Sequence, residues 1–218
     1  GDNLPLTYII SPSFVAVGGS GTILTSPDGT SWTSRTSGTS NQLNGITYGN
    51  STFVAVGNSG TILTSTDGTS WTSRTSNTSK ILEVITYGNS TFVIAGRDGT
   101  ILSSSNGISW TQRTSGTTNS FDAITYGNNS FVAVGGLGTI LTSSDAITWT
   151  SRSSGTSCLF YGIAYGNNNY VANCMQSGNV YKSSDLITWT GASHGSTDKL
   201  WDITFGNSNF VSVGFGSI

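Results

Sequence analysis

Charge is what this sequence has least of: 8% of its 218 residues are charged, eight Lys and Arg against ten Asp and Glu. A formal charge of −2 leaves no electrostatic footprint for nucleic acid or an anionic membrane. No apolar run approaches the roughly 20 residues that a membrane helix needs, which excludes insertion as a helix. No stretch reads as a signal peptide, and Gly1 stands first instead of Met, as expected of a processed or trimmed product. Helical periodicity is missing from every ten-residue window. With three Pro, two Cys and one His, the chain has no Cys/His metal spacing, no phosphate-cradling loop and no nucleophile motif.

What is there is repetition. The stretch from Ile46 to Arg74 recurs as Ile85 to Arg113 and Ile124 to Arg152, and more loosely as Ile163 to Thr190. Trp32, Trp71, Trp110 and Trp149 follow one another every 39 residues, and Trp189 comes after 40. Within one copy, Ile46-Thr47-Tyr48 is β-prone and Gly49-Asn50-Ser51-Thr52 is a turn. Phe53 to Val56 is apolar at every position, as a strand covered on both faces is. Thr61 to Ser65 makes a third strand, Asp67-Gly68 a turn, and Trp71 to Arg74 a polar fourth strand. A four-stranded sheet that is apolar on both faces must stack on its neighbours. A period near 40 with four strands per unit predicts an all-β β-propeller, its sheets closing into a circle.

A single domain, 1–218, is expected, with copies at about 1–40, 41–79, 80–118, 119–157 and 158–196 and a partial copy at 197–218. The first copy is altered at Ile9-Ile10-Ser11-Pro12, and the last stops inside its third strand. Six blades with the last one partial is the preferred arrangement; five blades closed by strand exchange is the alternative. An unpaired sheet edge in the partial blade predicts association with another chain, including homo-oligomers.

In the fifth copy the first hairpin turns between Gly166 and Asn167, which sets Cys158 and Cys174 almost opposite one another. A disulfide there would restrain the unfolded chain; two free thiols filling small gaps is the other reading. With the low charge and abundant Ser, Thr, Asn and Gly, a disulfide points to an extracytoplasmic place, secreted or on a cell surface. Four Asn-x-Ser/Thr patterns, beginning at Asn50, Asn77, Asn89 and Asn128, are expected by chance in such a composition, and a turn role suffices for them.

Between third and fourth strands the copies place Asp28 with Trp32, Asp67 with Trp71, Asn106 with Trp110, Asp145 with Trp149 and Asp185 with Trp189. This pattern, Ser-x-Asp-Gly-Thr-Ser-Trp at its fullest, resembles the Asp-box, or BNR repeat, of sialidase-type propellers and of photosystem II assembly-factor propellers. It is one residue shorter between Asp and Trp than is usual in that family. The resemblance implies a propeller and a structural role for these residues, because in that family the box lies away from the ligand. An Asp at the head of a tight turn accepts backbone N–H bonds, and nothing near it supplies the six or more oxygens that calcium wants. No metal and no cofactor are expected.

Arg35, Arg74, Arg113 and Arg152 repeat on the fourth strand and are expected on the perimeter, pointing apart. Glu83 is the only glutamate and Arg97 the only arginine off that ring, so the convergent arginines of a sialidase are lacking. No carboxyl pair is marked for glycoside hydrolysis, and His194 sits in a Gly-Ser loop without a partner. The chain is read as a non-enzyme.

Divergence between copies is confined to the links before the first strand and the loops between second and third strands, which open on one face. Asn44, Glu83, Asp122, Tyr161 and Trp201 occupy equivalent positions in the first set; Arg97-Asp98 and Met175-Gln176 fall in the second. Asn44, Glu83, Arg97, Asp98 and Asp122 would bond hydroxyls while Tyr161 and Trp201 stack on sugar C–H faces. Lys80 and Lys199 lie nearby. Loop drift without selection would leave the same pattern. The expected function is a lectin-like binding module for a glycan or another surface protein. The alternatives are a scaffold assembling through this face or the incomplete blade, and repeated weak ligand sites in the clefts between blades.

Overall fold

The computed structural model describes residues 14–175, 178–193, 195 and 199–215. The altered start of the first copy, Gln176 and His194 lie outside them. Among the described residues six antiparallel sheets follow one another: three strands, then four sheets of four strands, then two strands. They form a β-propeller. First strands run Leu43–Gly49, Leu82–Gly88, Phe121–Gly127, Phe160–Gly166 and Lys199–Gly206, and each packs beside the next around the axis. Second strands such as Thr52–Gly57, third strands such as Ile62–Ser65 and three-residue fourth strands such as Thr72–Arg74 lie progressively further out. Among the described residues the terminal hairpin, Lys199–Gly206 with Asn209–Phe215, makes its own sheet and does not join that of the first copy.

Each sheet is buried because both of its faces are apolar. Val54, Val56 and Ile62 on one face of the second copy meet Phe92, Ile94 and Leu102 of the third. Val93, Ala95 and Ile101 then meet Phe131, Ala133 and Leu141. At the inner strands the contact is closer still. A methyl placed on Gly49, Gly88, Gly127 or Gly166 would lie 2.1–2.2 Å from the ring of Tyr87, Tyr126, Tyr165 or Phe205 in the next sheet. Only a residue without a side chain leaves that ring its seat. Among the described residues the terminal copies are less covered than the others. Nothing lies within 4 Å of a methyl on Gly206, Phe14 and Trp32 are 49% and 44% exposed, and Val211 and Val213 are 53% and 60% exposed.

First hairpins turn on two residues that both have positive φ, Asn50-Ser51, Asn89-Ser90, Asn128-Asn129, Asn167-Asn168 and Asn207-Ser208. That is the turn whose twist matches paired strands, and Asn tolerates its backbone best after Gly. In the fifth copy the turn is therefore one residue later than the sequence suggested. Cys174 pairs with Phe160, not with Cys158. Cys158 lies two residues before that pair, and its disulfide to Cys174 spans 5.7 Å between Cα atoms.

The turn between third and fourth strands is built the same way five times. Oδ1 of Asp28, Asp67, Asn106, Asp145 and Asp185 accepts two backbone N–H bonds at 2.8–3.1 Å, from the second and third residues onward. The serine two residues earlier accepts a third N–H at 2.8–2.9 Å. Asn106 loses nothing because one oxygen does the bonding. These backbone donors hold all four aspartates below the usual carboxylate value, Asp145 and Asp185 at about 2.

The indole N–H of Trp32, Trp71 and Trp110 reaches the carbonyl of Gly29, Gly68 and Gly107 at 3.1–3.2 Å. Ala146 and Leu186 replace that glycine in the next two copies at φ 61° and 63°, against 70–79° for the glycines. There the buried Trp149 and Trp189 N–H groups find no acceptor. The half-buried Arg35, Arg74, Arg113 and Arg152 stay on the outermost strand, each Nε bonded to a hydroxyl of the third strand at 2.7–3.0 Å.

Two outcomes test this account. Ala146→Gly gives up a buried methyl, about 0.8 kcal/mol. It relieves left-handed backbone strain worth about 1 kcal/mol and lets Trp149 bond, about 1 kcal/mol more. The variant should gain roughly 1 kcal/mol in urea denaturation. The depressed aspartates contribute stability that is whole above the unfolded pKa of 3.8 and is lost as pH falls toward about 2. Denaturation midpoints should drop steeply across that window, and changing Asp67, Asp145 and Asp185 to Asn should flatten the drop.

Candidate functional site

The variable residues of the first set lie inside the first strands and not in the links before them. Pairing runs Leu43 with Gly57 and then Gly45 with Val56, leaving Asn44 as an extra residue. The same shift leaves out Glu83, Asp122, Tyr161 and Trp201. Each is the added residue of a β-bulge, a device that bends the strand and re-aims one side chain. Sequence reasoning missed the bulges; their one trace is that all five copies diverge two residues before the isoleucine.

The loops between second and third strands come to the same rim. Each is a short turn, Asn58–Gly60, Arg97–Gly99 or Gly136–Gly138, whose central Ser59, Asp98 or Leu137 has φ of 53–56°. The first residue of each donates its backbone N–H to the segment entering the first strand. Asn58 bonds Gln42, Arg97 bonds Ile81 and Gly136 bonds Ser120, at 2.9–3.0 Å.

Arg97 is thereby held beside the bulges. Its Nε donates to Glu83 Oε1 at 2.5 Å, and Nη2 stands 4.0 Å from Asp122 Oδ1 in the next sheet. Glu83 and Asp122 side chains are 19% and 12% exposed, that of Arg97 46%. Burial raises the Asp122 carboxyl above its ordinary value, the Arg97 charge pulls it back, and Glu83 pushes it up again. Burial opposes the charge of Arg97, but Glu83, then Asp122 and Tyr161, outweigh it and raise the guanidinium pKa. One sheet further, Tyr161 and Trp201 rings lie 6.1 Å apart, tilted by 55°, with Trp201 54% exposed.

Glu83, Arg97, Asp122, Tyr161 and Trp201 thus follow one another along four consecutive sheets. Two candidates stand apart. Asn44 spends its amide on Asn58 Oδ1 and on the Leu82 carbonyl, both at 3.0 Å, which ties the second sheet to the third. Asp98 pairs with Lys80 where both side chains are more than half exposed, an ion pair of little energetic weight. The carboxyl pair that the sequence does not mark is present: Glu83 and Asp122 share one guanidinium. Bound to Arg97, they are engaged as partners of a cation and do not flank an open centre.

Two recesses lie elsewhere, between sheets. One of about 700 Å³ is lined by Leu137, Thr139, Arg152, Ser154 and Thr156, and its equivalent one sheet earlier by Asp98, Arg113, Ser115 and Thr117. Their walls are mostly the residues that do not vary. Among the described residues no group of three or more His, Cys, Asp or Glu could hold a metal.

No protein-family model matches the sequence, and no curated protein matches it. Solved structures do resemble the fold. YCF48 bound to D1 peptide is 17% identical with a TM-score of 0.73, over 94% of this chain and 73% of that one. A streptogramin B lyase is 16% identical with a TM-score of 0.77, over 92% and 75%. A nidogen/laminin complex is 11% identical with a TM-score of 0.67, over 92% and 84%. At such identity the likeness shows the architecture alone.

Carbon-detected NMR tests the electrostatics. Asp122 should titrate above 3.8, and Arg97→Met should move it further up, since the guanidinium holds it down. A raised carboxyl makes stability fall as pH rises through its range, the opposite sign to the turn aspartates. A value below 3.8 in the parent, or no movement in the variant, counts against the arrangement.

Proposed function

We propose that the protein is a non-catalytic binding module that holds a carbohydrate on the rim formed by Glu83, Arg97, Asp122, Tyr161 and Trp201. The observation that carries this is the exposed Trp201 ring beside Tyr161, next to carboxylates fixed by a guanidinium. A flat ring accepts the C–H face of a sugar, while oxygens already held in place accept its hydroxyl hydrogens without further ordering. The five Asp and Asn turns are read as shortened Asp-boxes with a structural role, supported by bonds that stay within the turn. A place outside the cytosol is supported by the Cys158–Cys174 disulfide.

A protein-binding scaffold is the second reading, and the exposed apolar side chains of Val211, Val213 and Phe215 favour it. Among the neighbours, YCF48 is bound to a peptide and another protein is a lyase, so this architecture serves both binding and catalysis elsewhere. Here the ionic cluster argues for binding.

A glycan array followed by titration calorimetry tests the carbohydrate reading. Trp201→Ala should weaken binding about tenfold, with unchanged far-ultraviolet circular dichroism. Turnover of chromogenic glycosides should be nil. No glycan signal at high protein concentration would sink the proposal.

A further inference from the structure

Two smaller recesses open at the opposite end of the strands from the rim, each between one sheet and the turn that joins the third and fourth strands of the next. The first, about 340 Å³, is lined by Thr91, Ser103 and Arg113 of the third sheet and by Asp145 and Ile147 of the fourth. The second, about 350 Å³, is lined by Ser130, Thr142 and Arg152 of the fourth sheet and by Asp185 and Ile187 of the fifth. Both volumes fall within the roughly 300–1,000 Å³ of small-ligand sites. Thr91, Ser103 and Arg113 stand 39 residues before Ser130, Thr142 and Arg152, and Asp145 and Ile147 stand 40 before Asp185 and Ile187. The recesses are one structure built twice.

Each recess sets a fixed donor against a fixed acceptor. Arg113 Nε is spent on the Ser103 hydroxyl at 2.7 Å and Arg152 Nε on that of Thr142 at 3.0 Å, which holds both guanidinium planes in place. Among the described residues no acceptor meets their Nη groups. On the other wall, the backbone and serine bonds of Asp145 and Asp185 all fall on Oδ1, so Oδ2 keeps its capacity to accept. Both carboxyls are ionised at neutral pH. Among the described residues no ion pair joins arginine to aspartate across either recess, which leaves both charges open to a third group. Ile147 and Ile187 are 55% and 64% exposed, at the turn position held by Thr30 and Thr69 in the first two copies. The core has no use for an isoleucine there; a guest with an apolar face does.

We propose that each of these recesses binds one neutral pyranose ring, the guanidinium donating to one hydroxyl, the aspartate accepting from its neighbour and the isoleucine covering a C–H face. Adjacent hydroxyls suit a donor and an acceptor placed side by side, since each can take either role. One charge of each sign gives no preference to an anionic or a cationic guest. A single recess holds its ring by few bonds at an open surface, so binding there is weak. Two recesses on successive sheets turn clustered sugar ends into a much tighter guest. The proposal does not rest on the rim: the residues differ, and either site can fail alone.

The methyl glycosides of glucose, galactose and mannose, titrated separately into the isotope-labelled chain and followed by amide NMR, are the probes. At least one should give saturable shifts at Ile147 and Thr148 and at Ile187 and Thr188, with a Kd of about 1 mM. Arg152→Gln should weaken the response at Ile187 and Thr188 at least about tenfold. The response at Ile147 and Thr148 should persist and so report that the variant is folded. Ile147→Thr, the residue that the first two copies carry, should weaken that first recess by a similar factor. An albumin conjugate bearing many copies of the sugar separates the two sources of such a ring. Binding tighter by about a hundredfold or more assigns the recesses to clustered glycan ends, and affinity equal to that of the glycoside assigns them to single sugars. No saturable shift at either turn with any of the three glycosides would overturn the proposal, as would shifts that Arg152→Gln leaves unchanged. Shifts confined to Tyr161 and Trp201 would overturn it and leave the rim reading standing; shifts at both turns with none at the rim would support it and count against the rim.

Discussion

The contact on which the propeller depends is that of a tyrosine or phenylalanine ring lying flat on the backbone of the preceding sheet. Gly49, Gly88, Gly127 and Gly166 each end an inner strand and leave room for one ring, and a single added carbon would sit inside it. This fixes how near successive inner strands come. The same ring lies 4.6–4.8 Å from the aromatic residue in second place on the second strand, as Tyr87 does from Phe92 and Phe205 from Phe210. An aromatic pair therefore bridges two sheets at every step, and the valines and isoleucines fill the space that this spacing defines. Burial of apolar area stabilises the stack; the glycines decide its geometry.

The architecture was legible because its signals are local and repeated. Fully apolar second strands, turn residues at fixed offsets and a tryptophan every 39 residues need no tertiary information. The surplus of first hairpins over tryptophan-bearing ones was also visible, and it corresponds to the two-stranded last sheet. What the sequence hid is set by single-residue shifts. A bulge adds one residue to a strand without altering its composition, so Glu83 and Asp122 look like link residues in the sequence and are strand residues in the fold. The turn at Asn167-Asn168 was misplaced by one residue for the same reason, because Gly166 and Asn167 both suit a reversal. The bond from the Asn44 amide to Leu82 was not legible either, since that acceptor is 38 residues away.

At the rim, the useful property is that position and identity are decoupled. The bulge and the three-residue turn place a side chain at the same spot in each sheet, while nothing in the core depends on which side chain it is. Glu83, Asp122, Tyr161 and Trp201 can therefore differ completely at equivalent places. Arg97 then links two of them into a unit that neither copy contains by itself. A site of this sort belongs to the order of the sheets as much as to their sequences.

Near-identical joints carry a cost and an opportunity that lie outside the native contacts. Because the second, third and fourth copies present almost the same two faces, a refolding chain can mate a sheet with the wrong neighbour and gain nearly the right energy, leaving a looped-out repeat to be corrected slowly. The genetic counterpart is benign: unequal recombination can add or drop a whole repeat and still leave every surviving joint intact. Lengthening or shortening such a gene changes which bulge residues become neighbours, so new combinations at the rim can arise without a single point mutation.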